Sequence, residues 1–169
     1  MPASKISLDQ AKPNKLFYVV ATAMPYRKSD GRCLILKRDE RETAHPGKWG
    51  VTGGKLEHED FDLAKPTRMN GDVYDFQGAF EKLLRKEAKE EAAIKLGDDF
   101  RYLGSLVFVR PDETPVALFQ FAAEYAGGDV KPEVGGFTDF AWVNAEEVKQ
   151  YDCIDGIHDE VSRTIAAFG

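Results

Sequence analysis

The chain has 169 residues, 43% of them hydrophobic and 31% charged, a composition that argues for a folded globular domain and against a disordered or fibrous protein. Its net charge of −6 lacks the basic footprint that a nucleic-acid polymer requires, although a metal ion can still hold a nucleotide locally. Two well-separated cysteines, Cys33 and Cys153, give neither a disulfide framework nor a CxxC site, which points to a reducing cytoplasm. The first residues carry no apolar signal-peptide core, and no stretch is long enough to cross a bilayer, so no membrane is expected.

In chain order, "LFYVVATAM", Leu16 to Met24, reads as a buried strand, and Cys33 to Lys37 as a second, with Cys33 as a small core residue. The aperiodic segment that follows contains Pro46-Gly47 and Gly53-Gly54 and is expected to be a loop with a short extended piece around Trp49–Thr52. Residues 61–77, broken by Pro66 and Asn70-Gly71, also read as loop. A helix is predicted from about Ala79 to Leu96, stopped by Gly97. "RYLGSLVFVR" and "TPVALFQFAAEYA" form a hairpin candidate, "DFAWV" a last strand, and Asp155 to Phe168 a closing helix after a turn capped by Asn144. Strands interleaved with a few helices predict a mixed sheet between helical layers, and the lack of a linker or repeat predicts one domain over residues 1–169.

The predicted helix carries the chemistry. Glu87, Glu90 and Glu91 stand at i, i+3 and i+4, where like charges repel by a few tenths of a kcal/mol. At about 100° per residue, Phe80, Leu83, Leu84 and Ile94 define an apolar sector. Glu87 and Glu91 fall inside it and Glu90 at its edge, whereas Lys82, Arg85, Lys86 and Lys89 lie mostly opposite. Inward-facing carboxylates require neutralisation, and a hard divalent cation such as Mg²⁺ or Mn²⁺ neutralises several together. The alternative is simple ion pairing along the helix, Lys86 with Glu90 and Glu91 with Lys95.

"HPGKWGVTGGKLE", His45 to Glu57, taken with "KEAKEEAAI", Lys86 to Ile94, resembles the two halves of the Nudix hydrolase signature, G-x5-E-x7-R-E-U-x-E-E-x-G-U, in which U is a bulky apolar residue. Gly54 matches the first glycine, Glu87 the glutamate after arginine, Glu90-Glu91 the paired acids, and Ile94 the last apolar position. The departures are specific. Lys86 replaces the arginine, Ala88 is small at an apolar position, Ala93 replaces the late glycine, and Thr52 stands where proline is usual. Counting forward from Gly54 places the first glutamate on Asp60, and counting back from Lys86 places it on Gly78. Residues 61–85 fill 25 positions where the signature has 7, an insertion of 18 that makes the 61–77 region an added segment. Lengthening a loop in this way costs only about 0.6 kcal/mol per doubling.

The resemblance implies a Nudix-like α/β/α sandwich, α+β in class, with a central mixed sheet. It implies Mg²⁺-dependent (or Mn²⁺-dependent) hydrolysis of the pyrophosphate bond in a nucleoside diphosphate linked to another moiety, such as a nucleoside triphosphate or ADP-ribose. Glu87, Glu90, Glu91 and the carbonyl of Gly54 would hold the metal, and Lys86 would orient the acids. Gly53, Gly54 and Arg38 would face the substrate. The general base is left open among a box glutamate, Glu133 and Asp139. Residues 61–77 could serve as a lid through Tyr74 and Phe76. A homodimer is left open, and the alternative to an enzyme is a nucleotide-sensing or scaffold module that keeps the fold without turnover.

Overall fold

Cys33–Leu36 shows how the molecule is layered. All four side chains are buried, yet they alternate, with Leu34 and Leu36 in one apolar core and Cys33 and Ile35 in the other. A strand buried on both faces needs a helix on each side. The structure, a computed structural model, describes residues 1–169 and supplies both helices.

The strands are β1 (Tyr18–Arg27), β2 (Arg32–Arg38), β3 (Trp49–Gly50), β4 (Thr52–Lys55), β5 (Arg68–Asn70), β6 (Val73–Asp75), β7 (Lys95–Val109), β8 (Pro115–Gly127) and β9 (Phe137–Val143), and the helices are α1 (Ala79–Ala92) and α2 (Ile157–Phe168). One seven-stranded sheet runs in the order β3-β2-β1-β8-β7, with β4 paired to β1 and β9 to β2. Its strands pair antiparallel except for β1 with β8, which makes the sheet mixed. The expected sandwich is therefore present. Helix α1 packs Leu83, Leu84, Ala88 and Ala92 on Ala21, Ala23, Leu34 and Leu36. Helix α2 packs Ile157 and Val161 on Met24, Tyr26, Cys33 and Ile35 across the sheet. Fully buried alanines on both sides of the α1 contact let helix and strand approach closely, which accounts for Ala88 at a position read as bulky. No helix is long and apolar enough to cross a membrane, and both cysteines are free.

Two expected elements have different boundaries. Helix α1 ends at Ala92, not Leu96, because Ala93 turns into the left-handed region at φ 58° and Lys95 already begins β7. Ala93 caps the helix with its N–H on the carbonyls of Ala88 and Lys89, and it stands where the signature has glycine, the residue suited to that conformation. Residues 61–77 are not all loop. Within them β5 and β6 pair as a hairpin through Gly71, at φ 59°, and Asp72. Gly71 thus supplies the positive φ at the first position of a two-residue hairpin turn, so Asn70-Gly71 is not only a break.

Two outcomes follow. Ala93→Gly is expected to stabilise the fold by about 0.5–1 kcal/mol in urea unfolding, because it relieves a Cβ held at positive φ. The second concerns Glu160 of α2, which is 4% exposed and accepts a hydrogen bond from Gln120 Nε2 at 2.6 Å. Burial pushes its carboxyl up to about 7, with Arg163 and Gln120 opposing. The unfolded chain loses this proton near the ordinary value of 4.5, so between about 4.5 and about 7 the folded state binds more proton. Stability should therefore fall as pH rises through that window, and Glu160→Gln should flatten the decline, as read from unfolding midpoints at pH 5 to 8.

Candidate active site

Gly53 and Gly54 lie on β4, opposite Thr22 and Ala21 of β1. Their lack of a side chain is a packing requirement. A Cβ on Gly54 would stand 2.5 Å from the carboxyl carbon and Oε1 of Glu87, and one on Gly53 would stand 2.5 Å from the carbonyl oxygen of Ala21. Helix α1 thus lays Glu87 on Gly54, and one turn later Glu91 Oε2 accepts the Gly53 N–H at 2.9 Å.

Neither carboxylate has found a proper cation. Glu91 makes no ion pair, and the nearest ammonium to Glu87 is Lys86 Nζ at 3.7 Å. Burial pushes Glu91 up to about 8, the Gly53 N–H opposing it, while Glu87 and Glu133 add to the rise and Arg38 reduces it. Burial likewise raises Glu87, against the pull of Lys86 and reinforced by the charges of Glu90, Asp60 and Glu133. These are hard-oxygen donors held in a partly dry place where Lys86 and Arg38 offset only part of their charge, so they suit a divalent cation. The helical ion pairs Lys86–Glu90 and Glu91–Lys95 do not form, because Lys86 reaches Asp60 and because α1 ends at Ala92, which leaves Lys95 on β7.

The expected convergence of three acids is met by two side chains. Glu90 is exposed at the rim, and no three acidic, histidine or cysteine side chains already stand around a common metal position. Glu133 is brought alongside by its own backbone, its N–H donating to the Glu91 carbonyl at 2.9 Å. Asp139 is exposed on β9 and accepts the Phe140 N–H. Arg38 is held within its loop, donating to the Ala44 carbonyl at 2.7 Å and to Glu42 at 3.1 Å, although its charge reaches Glu91.

Lys86 has a partner that no glutamate count had supplied. Its Nζ donates to Asp60 Oδ1 at 2.7 Å, while Asp60 Oδ2 accepts the Glu57 N–H at 2.8 Å. Burial works against the Asp60 charge, yet these two donors hold its carboxyl below the usual range. Forward counting from Gly54 is therefore the correct register, and the insertion starts after Asp60. Arg85, one residue earlier, turns to Asp98 and the Gly97 carbonyl.

Two cavities flank this region, and neither contains the acids. The larger, about 580 Å³, lies between the N-terminal segment, β1 and the β7–β8 end, with Phe17, Tyr18, Leu56 and Phe61 in its wall. Lys55 Nζ and Arg110 Cζ stand 5.8 and 5.9 Å from the Tyr18 ring centre. The smaller, about 210 Å³, lies under the insertion and shares Phe61.

A family model described as NUDIX domain matches residues 17–165. Among solved structures, the NUDIX domain of Shewanella oneidensis NrtR complexed with ADP ribose superposes with a TM-score of 0.67 at 14% identity, over 96% of each chain. The MutT protein from Methanosarcina mazei gives 0.62 at 20% identity, over 93% of this chain and 99% of that one. The MutT NUDIX hydrolase from Burkholderia pseudomallei gives 0.62 at 19%, over 88% and 98%. No curated protein matches the chain. At these identities the structural likeness speaks for the fold.

The Asp60–Lys86 pair should behave as a unit. In a double-mutant cycle of Asp60→Ala and Lys86→Ala, unfolding free energies should be non-additive by about 0.5–1 kcal/mol, a modest value because Lys86 is 40% exposed and solvent screens the pair.

Proposed function

This chain belongs to the Nudix family, and we propose that it uses Mg²⁺, with Mn²⁺ able to replace it, to split the pyrophosphate bond of a nucleoside diphosphate linked to another moiety. That it is a pyrophosphohydrolase of nucleotide derivatives follows from the family. The observation that carries the finer reading is the half-buried carboxylate pair Glu87 and Glu91 laid against Gly53 and Gly54, with only Lys86 Nζ, 3.7 Å from Glu87, to offset its charge.

In this reading Glu87, Glu90 and Glu91, with the Gly54 carbonyl, would hold the cation, Glu90 from its exposed place at the rim. The bound ion would neutralise diphosphate oxygens, relieve charge developing at phosphorus and acidify a water. The chain's own residues set the geometry. The Gly53 N–H fixes one oxygen of Glu91 and leaves the other free to face the ion. Asp60 anchors Lys86, whose ammonium stays beside Glu87 and steadies the first turn of acids. Glu133, whose N–H donates to the Glu91 carbonyl and whose charge acts on Glu91, would accept the proton of the attacking water. The larger cavity, with Tyr18 in its wall and Lys55 and Arg110 near that ring, would suit the nucleoside, since an aromatic face stacks with a base and nearby cations draw its phosphates. The same reading treats residues 1–169 as one domain working in the cytoplasm.

Phosphate release from a panel of nucleoside triphosphates and nucleoside diphosphate conjugates tests this. Turnover should require Mg²⁺ or Mn²⁺, stop on chelation, and fall by about 100-fold or more in Glu91→Gln with the circular dichroism unchanged. Nucleotide binding without turnover in the wild type would instead identify a sensing module.

A further inference from the structure

The 210 Å³ cavity owes its existence to the insertion. Phe61, Lys65, Thr67, Phe76 and Gln77 come from the added segment, and α1 closes the other side with Lys82 and Lys86. Three lysines line it against a single carboxylate, Asp60, in a chain whose overall charge is −6. Lys86 is paired with Asp60, whereas Lys65 and Lys82 have no carboxylate within ion-pairing distance. Such a local excess of positive charge, repelling itself across a small concavity, is stabilised by an anion.

The walls are also braced. The rings of Phe61 and Phe76 meet at 5.2 Å and pin the two ends of the insertion together. Thr67 Oγ1 donates to the Asp75 carbonyl at 2.8 Å and accepts the Gln77 N–H at 2.8 Å, and Arg68 pairs with Asp75 at 2.7 Å across the hairpin. Lys65 therefore sits two residues from a fixed hairpin end, and its ammonium is offered from a preorganised segment.

Lys86 joins the cavity to the acids, for its Nζ lies 2.7 Å from Asp60 and 3.7 Å from Glu87. At about 210 Å³ the space is smaller than the roughly 300–1,000 Å³ that encloses a whole small molecule, so it fits one end of a longer ligand. On the opposite side of Phe61 lies the larger cavity. We propose that this lysine-lined cavity binds a phosphate group on the leaving moiety of the substrate, so that the enzyme selects nucleoside diphosphate conjugates whose second moiety carries a further phosphate. The assignment of that phosphate to a substrate rests on the pyrophosphohydrolase reading above; the anion site itself does not.

Two measurements separate these layers. Calorimetric titration of the metal-free protein with inorganic phosphate should show binding that is lost in Lys65→Ala/Lys82→Ala, two exposed positions whose replacement leaves the fold intact by circular dichroism. With Mg²⁺, adenosine diphosphoribose is then compared with the same conjugate bearing a phosphate monoester on its terminal ribose. The wild type should favour the phosphorylated conjugate by about tenfold or more in kcat/KM. The double variant should lose that preference while its rate on the plain conjugate stays within about twofold. Phosphate binding that is absent, or unchanged in the variant, overturns the site. Binding through Lys65 and Lys82 with no preference between the conjugates, but with turnover altered by added inorganic phosphate, identifies a free effector and overturns the substrate assignment. No metal-dependent turnover of these conjugates or of the wider panel, with phosphate binding retained, sinks the pyrophosphohydrolase reading and leaves the anion site standing.

Discussion

Two carboxylates pressed against a glycine strand, with only the ammonium of Lys86 standing between them and an unbalanced charge, are the constraint around which this molecule is arranged. Burial disfavours the charge of both, and the Glu87 carboxylate raises Glu91 further. A fold tolerates such a pair when something outside the chain supplies the missing charge, and the glycines show how closely the fit is made. Any side chain on Gly54 would occupy the space of the Glu87 carboxyl group. Helix α1 is held at that distance by alanines on both sides of the contact, Ala88 and Ala92 on the helix and Ala21 and Ala23 on the strand. The core packing and the placement of the acids are thus one design, since a larger residue at Ala88 would lift Glu87 and Glu91 away from β4.

The substitution of Lys86 for the signature's arginine makes sense beside Asp60. An arginine fork suits a longer carboxylate reached in a bidentate manner, whereas a lysine gives a point charge that one oxygen of a shorter acid can meet. Asp60 uses its other oxygen on the Glu57 N–H, which fixes it at the end of the glycine strand. The two departures from the signature therefore compensate each other across the insertion. Neither is intelligible alone, which is why the linear motif looks degraded where the folded site does not.

Much of this was legible in the residues. The strand at Cys33–Lys37 and the hairpin of β7 and β8 follow from apolar runs and the turn between them, and the inward aim of Glu87 and Glu91 follows from periodicity, because burial on a helix face repeats with a fixed spacing. The end of α1 was misread because Gly97 is a stronger stop signal than Ala93, yet the chain takes its left-handed turn at Ala93, where alanine bears the strain. The hairpin of β5 and β6 escaped notice because its strands are three residues each and largely exposed, leaving no apolar alternation to detect. The Asp60–Lys86 contact joins residues 26 positions apart and depends on a register that counting left ambiguous. Glu90 illustrates the limit of a helical wheel, which gives direction but not depth: its neighbours turn inward and it remains at the rim.

The place of the insertion decides what it can do. It leaves the chain after Asp60 and returns at the first turn of α1, so both halves of the signature keep their own geometry and the added residues gather beside the acids instead of between them. A plain loop there would add only entropy to close. A braced hairpin instead builds a wall, and the wall carries Lys65 toward Lys82 and Lys86. Charge is thereby divided about one side chain. On one side of Lys86 lie carboxylates that need a cation, and on the other lie ammonium groups that need an anion. A metal-bound diphosphate with an anionic far end, as proposed, would satisfy both needs at once, because a single ligand would then neutralise the carboxylates through its cation and the ammonium groups through its phosphate.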